Sequence, residues 1–249
     1  MNKIPPSGIR ELKRSYSFQI QPQDVDFQFR VTMAALADIL LATAGYNADD
    51  NGFGLRRLHE MQCAWVLSRL AIERDRFPEQ YENIRMETWV EEVGRTNTTR
   101  NFCIRDEKNE IIGNACSVWV MFDMKTRRAK DLEILEGIHE FALGDVGLIE
   151  KPIKLGSVEG EEYDGFKVKY SDIDINGHVN SIRYIQWISD CFSLDCYRKC
   201  KVKRFEINYI NEMLYDDFVE IAGHEVEPGD FRFEIRKEDK IACRARVVF

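Results

Sequence analysis

The chain has 249 residues, enough for one large domain or two ordinary ones, and its 44% hydrophobic content suffices for packed cores. A net charge of −8 argues against a general nucleic-acid binder and gives no overall attraction to anionic lipid. The stretch from Met1 to Arg14 is too polar for a signal peptide, no apolar run is long enough to span a bilayer, and seven cysteines without Cys-x-x-Cys spacing fit a reducing compartment, so a cytoplasmic protein is expected.

In chain order, Lys13 to Ile20 reads as a first strand, and Asp24 to Thr32 leads into a helix from Met33 to Ala44 that Gly45 should end. A long loop, Asn47 to Glu60, precedes strands near Gln62 to Glu73, Ile84 to Thr96, Thr99 to Asp106 and Glu110 to Asp123, with a hairpin turn at Asp106 to Asn109. Leu143 to Gly160, with its glycines, Pro152 and weak periodicity, reads as a linker. Beyond it come an extended stretch from Gly165 to Tyr170, a helix from Ser181 to Tyr197 capped by Asn180, and strands near Val202 to Asn211, Phe218 to Glu227, Asp230 to Lys237 and Lys240 to Phe249. At 1.5 Å per residue that second helix would be roughly 25 Å long, and it is apolar nearly all round, so an antiparallel sheet should wrap it.

The order of elements repeats. Asp24, Asp26, Gln28, Arg30 and Thr32 match Asp172, Asp174, Asn176, His178 and Asn180 at a constant offset, 172 − 24 = 148. After the helices, Arg69 to Ile72 matches Arg204 to Ile207 at 204 − 69 = 135. Two copies of one α+β unit would explain the length, their edges joining into one continuous sheet. The domains expected are residues 1–145, a linker at 146–160, and residues 161–249. In the second copy Asp172, Asp174, Asn176 and His178 fall at every second position, so an extended backbone would place all four on one side, just before a helix N-terminus that favours developing negative charge. Asp172 is read as a turn acid, and His59, His139 and His224 as structural.

The pattern Asp174-x-Asn176-x-His178-Val179-Asn180-x-x-x-Tyr184 resembles the signature of acyl-ACP thioesterases of the plant and bacterial fatty-acid type. Trp65 to Arg69, Asp75 to Pro78, Glu87 to Val90, Arg105-Asp106 and Ser117 to Met121 are similar to the family's N-terminal half. The resemblance covers nearly the whole chain and implies a bacterial-type member with a double hot dog fold, two antiparallel sheets each wrapped around a central helix. It implies that the first half shapes the acyl pocket and the second carries catalysis, through Asp174, Asn176 and His178. The family's later Glu-Cys pair falls on Glu212-Met213, so the carboxylate is kept, while methionine offers no thiol nucleophile at that position.

The resulting expectation is hydrolysis of fatty acyl-ACP by direct attack of water. His178 and Glu212 hold and deprotonate the water, Asn176 donates its amide to the carbonyl or the water, and Asp174 orients Asn176. Met33, Leu36, Leu40, Trp65 and Leu67 are candidate acyl-pocket residues. The partner implied is acyl carrier protein bearing a phosphopantetheine-linked chain. Of three basic clusters, Arg56 with Arg57, Lys125 with Arg127 and Arg128, and Lys199, Lys201, Lys203 with Arg204, the last is favoured for docking because it follows the catalytic-half helix. No metal or organic cofactor is implied, and monomer and homodimer are both compatible. Competing readings are an acyl-CoA thioesterase, a hot dog hydratase or dehydratase, and a non-catalytic acyl-binding module.

Overall fold

The structure, a computed structural model, describes residues 12–249, so most of the polar stretch from Met1 to Arg14 lies outside the described residues. Strand β1 (Lys13–Gln19) alternates exposed and half-covered residues. Helix α1 (Met33–Asp50) and the short α2 (Leu55–Glu60) precede β2 (Cys63–Arg74), β3 (Asn83–Val93), β4 (Asn97–Arg105), β5 (Ile111–Asp123) and the two-residue β6 (Arg128–Ala129). The second half repeats the order with β7 (Glu161–Lys167), α3 (Ser181–Asp190), α4 (Leu194–Lys199), β8 (Arg204–Tyr209), β9 (Phe218–Glu227), β10 (Asp230–Lys237) and β11 (Lys240–Val248). All strands join one antiparallel sheet in the order β1-β3-β4-β5-β2-β8-β11-β10-β9-β7, with β6 on β5.

The two halves meet where β2 pairs with β8, and there Leu70 faces Ile207 and Ile72 faces Phe205. With Leu70 equivalent to Phe205 and Ile72 to Ile207, each pair turns into the other when the halves are exchanged. That is the geometry of a two-fold interface between copies of one strand. The helices pack on one face, with Leu36, Leu40, Ile185 and Ile188 fully buried in the shared core. A smaller cluster around Phe53, Leu58, Leu132 and Ile138 lies under the segment after α1. This is the double hot dog arrangement.

Two expected helix limits are corrected. Gly45 does not end α1, which continues to Asp50 because Ala44, Asn47 and Ala48 still face the interior and Asn47 accepts from buried Arg100 at 2.7 Å. A helical glycine costs only about 1 kcal/mol against alanine, less than that burial returns. The second helix is instead two, α3 and α4, broken at Phe192. There Ser193 caps α4 by accepting from the Cys196 N–H at 3.2 Å, and the Phe192 ring turns into a cluster with Phe231, Phe233 and Phe249 at centroid distances of 5.0, 5.5 and 4.9 Å.

The segment after β6 crosses the outer face of the sheet, and its peptide groups are met by polar side chains from central strands. Glu206 accepts from Ile153 N at 2.7 Å and Asn208 from Leu155 N at 2.8 Å. Arg69, Arg244 and Arg236 donate to the carbonyls of Pro152, Leu155 and Val158 at 3.0, 3.1 and 3.1 Å. Glu234, 1% exposed, holds both Arg236 and Arg244 at 2.6 and 2.7 Å. Burial alone would raise its carboxyl, but Arg244 and Arg236 hold it below the usual carboxylate range. A depressed carboxyl contributes stability that is present above its unfolded value, about 4.3, and lost as pH falls through its folded value. Glu234→Gln should therefore lower unfolding free energy by about 2 kcal/mol at pH 7. Urea titrations of both proteins should show the gap intact at pH 5 and narrowing below pH 4.

Candidate functional site

The segment from Asp172 to Asn180 is a closed loop and not the extended run expected. Asp172 ends a short 3-10 turn (Tyr170–Asp172), Ile173 and Val179 form an isolated bridge, and Asp174 N donates to His178 O at 2.8 Å. The Asp174 carboxylate fills the loop, its Oδ1 accepting from Asn176 N at 2.8 Å and His178 N at 3.3 Å. Gly177 takes φ +79°, which glycine adopts without strain. Asp172 accepts from Lys169 N at 2.8 Å and lies 3.5 Å from Arg183, as a turn acid would.

The first half repeats this loop bond for bond. Asp26 N donates to Arg30 O, Val25 bridges Val31, and Asp26 Oδ1 accepts from Gln28 N and Arg30 N at 2.8 and 3.2 Å. Phe29, at φ +61°, stands where the second copy has Gly177. Both loops end in the side-chain caps anticipated, Thr32 accepting from Ala35 N at 3.1 Å and Asn180 from Ile182 N at 2.9 Å.

A second chain segment docks on each loop at the other offset: Val31 N donates to Pro78 O, and Val179 N to Met213 O, both at 2.9 Å. That contact carries Glu212 to His178, with Nε2 and Oε2 3.3 Å apart. Both side chains are partly open to solvent, at 26% and 40%. Asn176 is exposed on the same loop, its Nδ2 3.3 Å from Asp174 Oδ2. Beneath lies Tyr184, whose phenol burial pushes far above its ordinary range, and fully buried Met213.

Glu212 has a further partner that sequence alone placed elsewhere, among basic surface clusters. Arg127 donates through Nη2 to Glu212 Oε2. It projects from the β5–β6 hairpin of the first half at φ +57°, and Asp123 folds that turn by accepting from Lys125 N and Thr126 N at 3.0 and 2.8 Å. The Thr126 N–H, followed by Lys130, which donates to Asp123 Oδ2 at 2.9 Å, holds the Asp123 carboxyl well below its usual range. The Asp123 to Arg127 turn is visible in sequence, but its reach across to the other half is a property of the sheet.

Other expected site residues are distributed. Met33, Leu36, Leu40 and Leu67 lie together in the main core, while Trp65 packs on the smaller cluster and donates to Phe53 O at 3.0 Å. Lys199 and Lys201 are exposed, Lys203 reaches Phe249 O at 3.1 Å, and Arg204 is taken up by Glu73 and Glu206.

A family model for the acyl-ACP thioesterase N-terminal domain matches residues 11–138, and one for the acyl-ACP thioesterase C-terminal domain matches residues 156–249. A chloroplastic palmitoyl-acyl carrier protein thioesterase from Arabidopsis thaliana is 31% identical over 179 residues, 68% of this chain and 43% of the relative. The chain spans about half the length of the curated relatives it matches. The crystal structure of an acyl-ACP thioesterase from Bacteroides thetaiotaomicron is 39% identical, with a TM-score of 0.89 over 96% of this chain and 98% of that one. The 12:0-ACP thioesterase from Umbellularia californica, 21% identical, shares the fold at a TM-score of 0.83 over 97% and 98%.

If the two carboxylates close their loops equivalently, Asp174→Ala should speed amide exchange at Asn176 and His178, and Asp26→Ala at Gln28 and Arg30. Loss of a charged acceptor predicts roughly 10-fold or more in each case. Exchange followed by NMR checks this, with protection inside α1 and α3 expected to persist.

Proposed function

The chain belongs to the acyl-ACP thioesterase family, and from that premise we propose that it hydrolyses fatty acyl-ACP to free fatty acid and ACP. The observation that carries the reading is the 3.3 Å approach of His178 Nε2 to Glu212 Oε2 at the rim of a loop closed by Asp174.

Water is the nucleophile. Its oxygen bonds to the thioester carbon while His178 takes the proton; the C–S bond then breaks, and the thiolate leaves on the pantetheine arm. Glu212 orients the imidazole and stabilises its protonated form, a base contribution typically worth about 10²- to 10⁴-fold. Asn176 donates its amide to the carbonyl oxygen as negative charge develops, and Asp174 holds Asn176 in place. The α3 N-terminus adds a favourable dipole. Met213, buried and without an ionisable thiol, takes no part in bond making. Arg127 acts as a positioning residue that fixes Glu212.

Met33, Leu36, Leu40 and Leu67 are proposed to border the acyl chain, with Trp65 closing the neighbouring cluster. For the acidic carrier, the hairpin that sets Arg127 on Glu212 also exposes Lys125 and Arg128, whereas in the other cluster Arg204 is taken up by carboxylates and Lys199, Lys201 and Lys203 are exposed. We assign the carrier to the hairpin. A cytoplasmic location is proposed on the seven free cysteines. No helix among the described residues is long and apolar enough to cross a membrane.

His178→Ala should abolish thiol release from acyl-ACP while circular dichroism and melting temperature stay near wild type. Glu212→Gln should lower kcat by about 10²-fold or more, and Arg127→Ala by less than that. Wild-type release by His178→Ala would refute the mechanism, and equal kcat/KM on matched acyl-CoA would refute the carrier assignment.

A further inference from the structure

The first-half loop presents a different set of groups at the positions of the catalytic four. Asp26 is kept, but Asn176 becomes Gln28, His178 becomes Arg30, and Glu212 becomes Phe77 at the offset 212 − 77 = 135. A base and its carboxylate partner are thereby replaced by a cation over a ring, since the Arg30 guanidinium lies 5.7 Å from the Phe77 centroid.

A second cation converges on the same ring. Arg74, only 7% exposed, lies over Phe77, and its Nε and Nη2 have no hydrogen-bond partner; no carboxylate among the described residues pairs with it. In the second half the matching residue, Tyr209, is satisfied by donating to Ser181 O at 2.8 Å. Arg30 offers little compensation. Its Nη2 binds Gln28 and the Tyr197 carbonyl and lies 3.8 Å from Asp26 Oδ2, while its Nε is also unpartnered. Burial, with the Arg30 charge adding to it, pushes Arg74 down to about 9, which leaves it a cation at neutral pH. A buried guanidinium keeps its charge and is costly without an anion, and its planar fork fits an oxyanion with two oxygens.

Access and the chemistry of the rim narrow the ligand. The Arg30 side chain is 17% exposed against 7% for Arg74, so a ligand would meet Arg30 first, and the loops that carry the pair also expose Phe27, Phe29 and Tyr81. Three exposed aromatic groups suit an apolar tail rather than a bare inorganic ion.

We propose that Arg30 and Arg74 form a non-catalytic site, the first-half counterpart of the catalytic loop, that takes the carboxylate of a long-chain aliphatic acid with its tail along Phe27, Phe29 and Tyr81. Identifying that acid with the reaction product rests on the proposed hydrolysis; the site itself does not.

The test is carbon-13 NMR of carboxyl-labelled dodecanoate titrated into the full chain, with inorganic phosphate and dodecanol as comparators. A bound carboxylate signal that Arg74→Met and Arg30→Gln each weaken roughly 10- to 100-fold, with dodecanol failing to displace it, is the expected result. Arg74→Met removes an unpaired buried charge and should not lower the melting temperature. Should that variant fail to fold, the more exposed Arg30→Gln carries the measurement. The site is overturned if both variants bind dodecanoate as wild type does, and the assignment to an aliphatic acid is overturned if inorganic phosphate binds as tightly. Absence of thioester hydrolysis by the wild type alongside a bound signal lost in the variants would refute the proposed reaction and leave the site standing.

Discussion

The pairing of β2 with β8 is the constraint on which the rest of the molecule depends. Each half ends its sheet in a strand rich in buried residues, and an uncovered edge of that kind would be a row of unpaired peptide groups. Joining the two edges antiparallel satisfies both at once and fixes an approximate two-fold relation between the halves. It also makes each loop dependent on the other half: Arg127 of the first half reaches Glu212 of the second, and Arg30 of the first finds the Tyr197 carbonyl of the second. The surroundings of each loop thus include a group from the other half, although the bonds that close the loop are its own.

A continuous sheet with helices on one face leaves the other face to be covered by something else, and here that cover is an irregular segment instead of a layer of helices. Irregular backbone cannot satisfy itself, so the central strands present Glu91, Glu206, Asn208 and Glu234 outward. Buried carboxylates are tolerable there because each is met by a peptide N–H or by an arginine that itself donates onward to the segment's carbonyls. The polar residues inside this protein are therefore a consequence of how its two halves are connected.

What could be read from sequence follows the range of the interaction responsible. Caps at Thr32 and Asn180, strand alternation in β1 and the doubled loop pattern depend on neighbours within a few residues, and they were legible. The Asp-x-Asn-x-His spacing was legible as a cluster but misleading as a shape. Alternating polar residues suit a strand face, and they equally suit a turn in which one aspartate accepts from the backbone two and four positions on. The break at Phe192 depends on rings from β10 and the C-terminus, Arg127 depends on sheet order, and the need for Glu234 depends on a segment some 80 residues earlier, 234 − 155 = 79. None of these distant partners leaves a local signature.

The two loops separate what a fold requires from what chemistry requires. Asp24 and Asp172 close the entry turn, Asp26 and Asp174 close the loop, and Phe29 and Gly177 take the same left-handed backbone, so these positions serve the backbone in both halves. Gln28, Arg30, Arg74 and Phe77 against Asn176, His178, Tyr209 and Glu212 are the side chains that the shared backbone displays, and all four differ. An imidazole beside a carboxylate can move a proton; two guanidiniums beside a ring cannot, because a guanidinium offers only hydrogen-bond donors and no acceptor for a proton. The same scaffold thus gives one half the means to do acid–base chemistry and the other only the means to hold negative charge. The chemical difference between the two loops therefore resides in those few side chains, displayed on a loop backbone that the halves share.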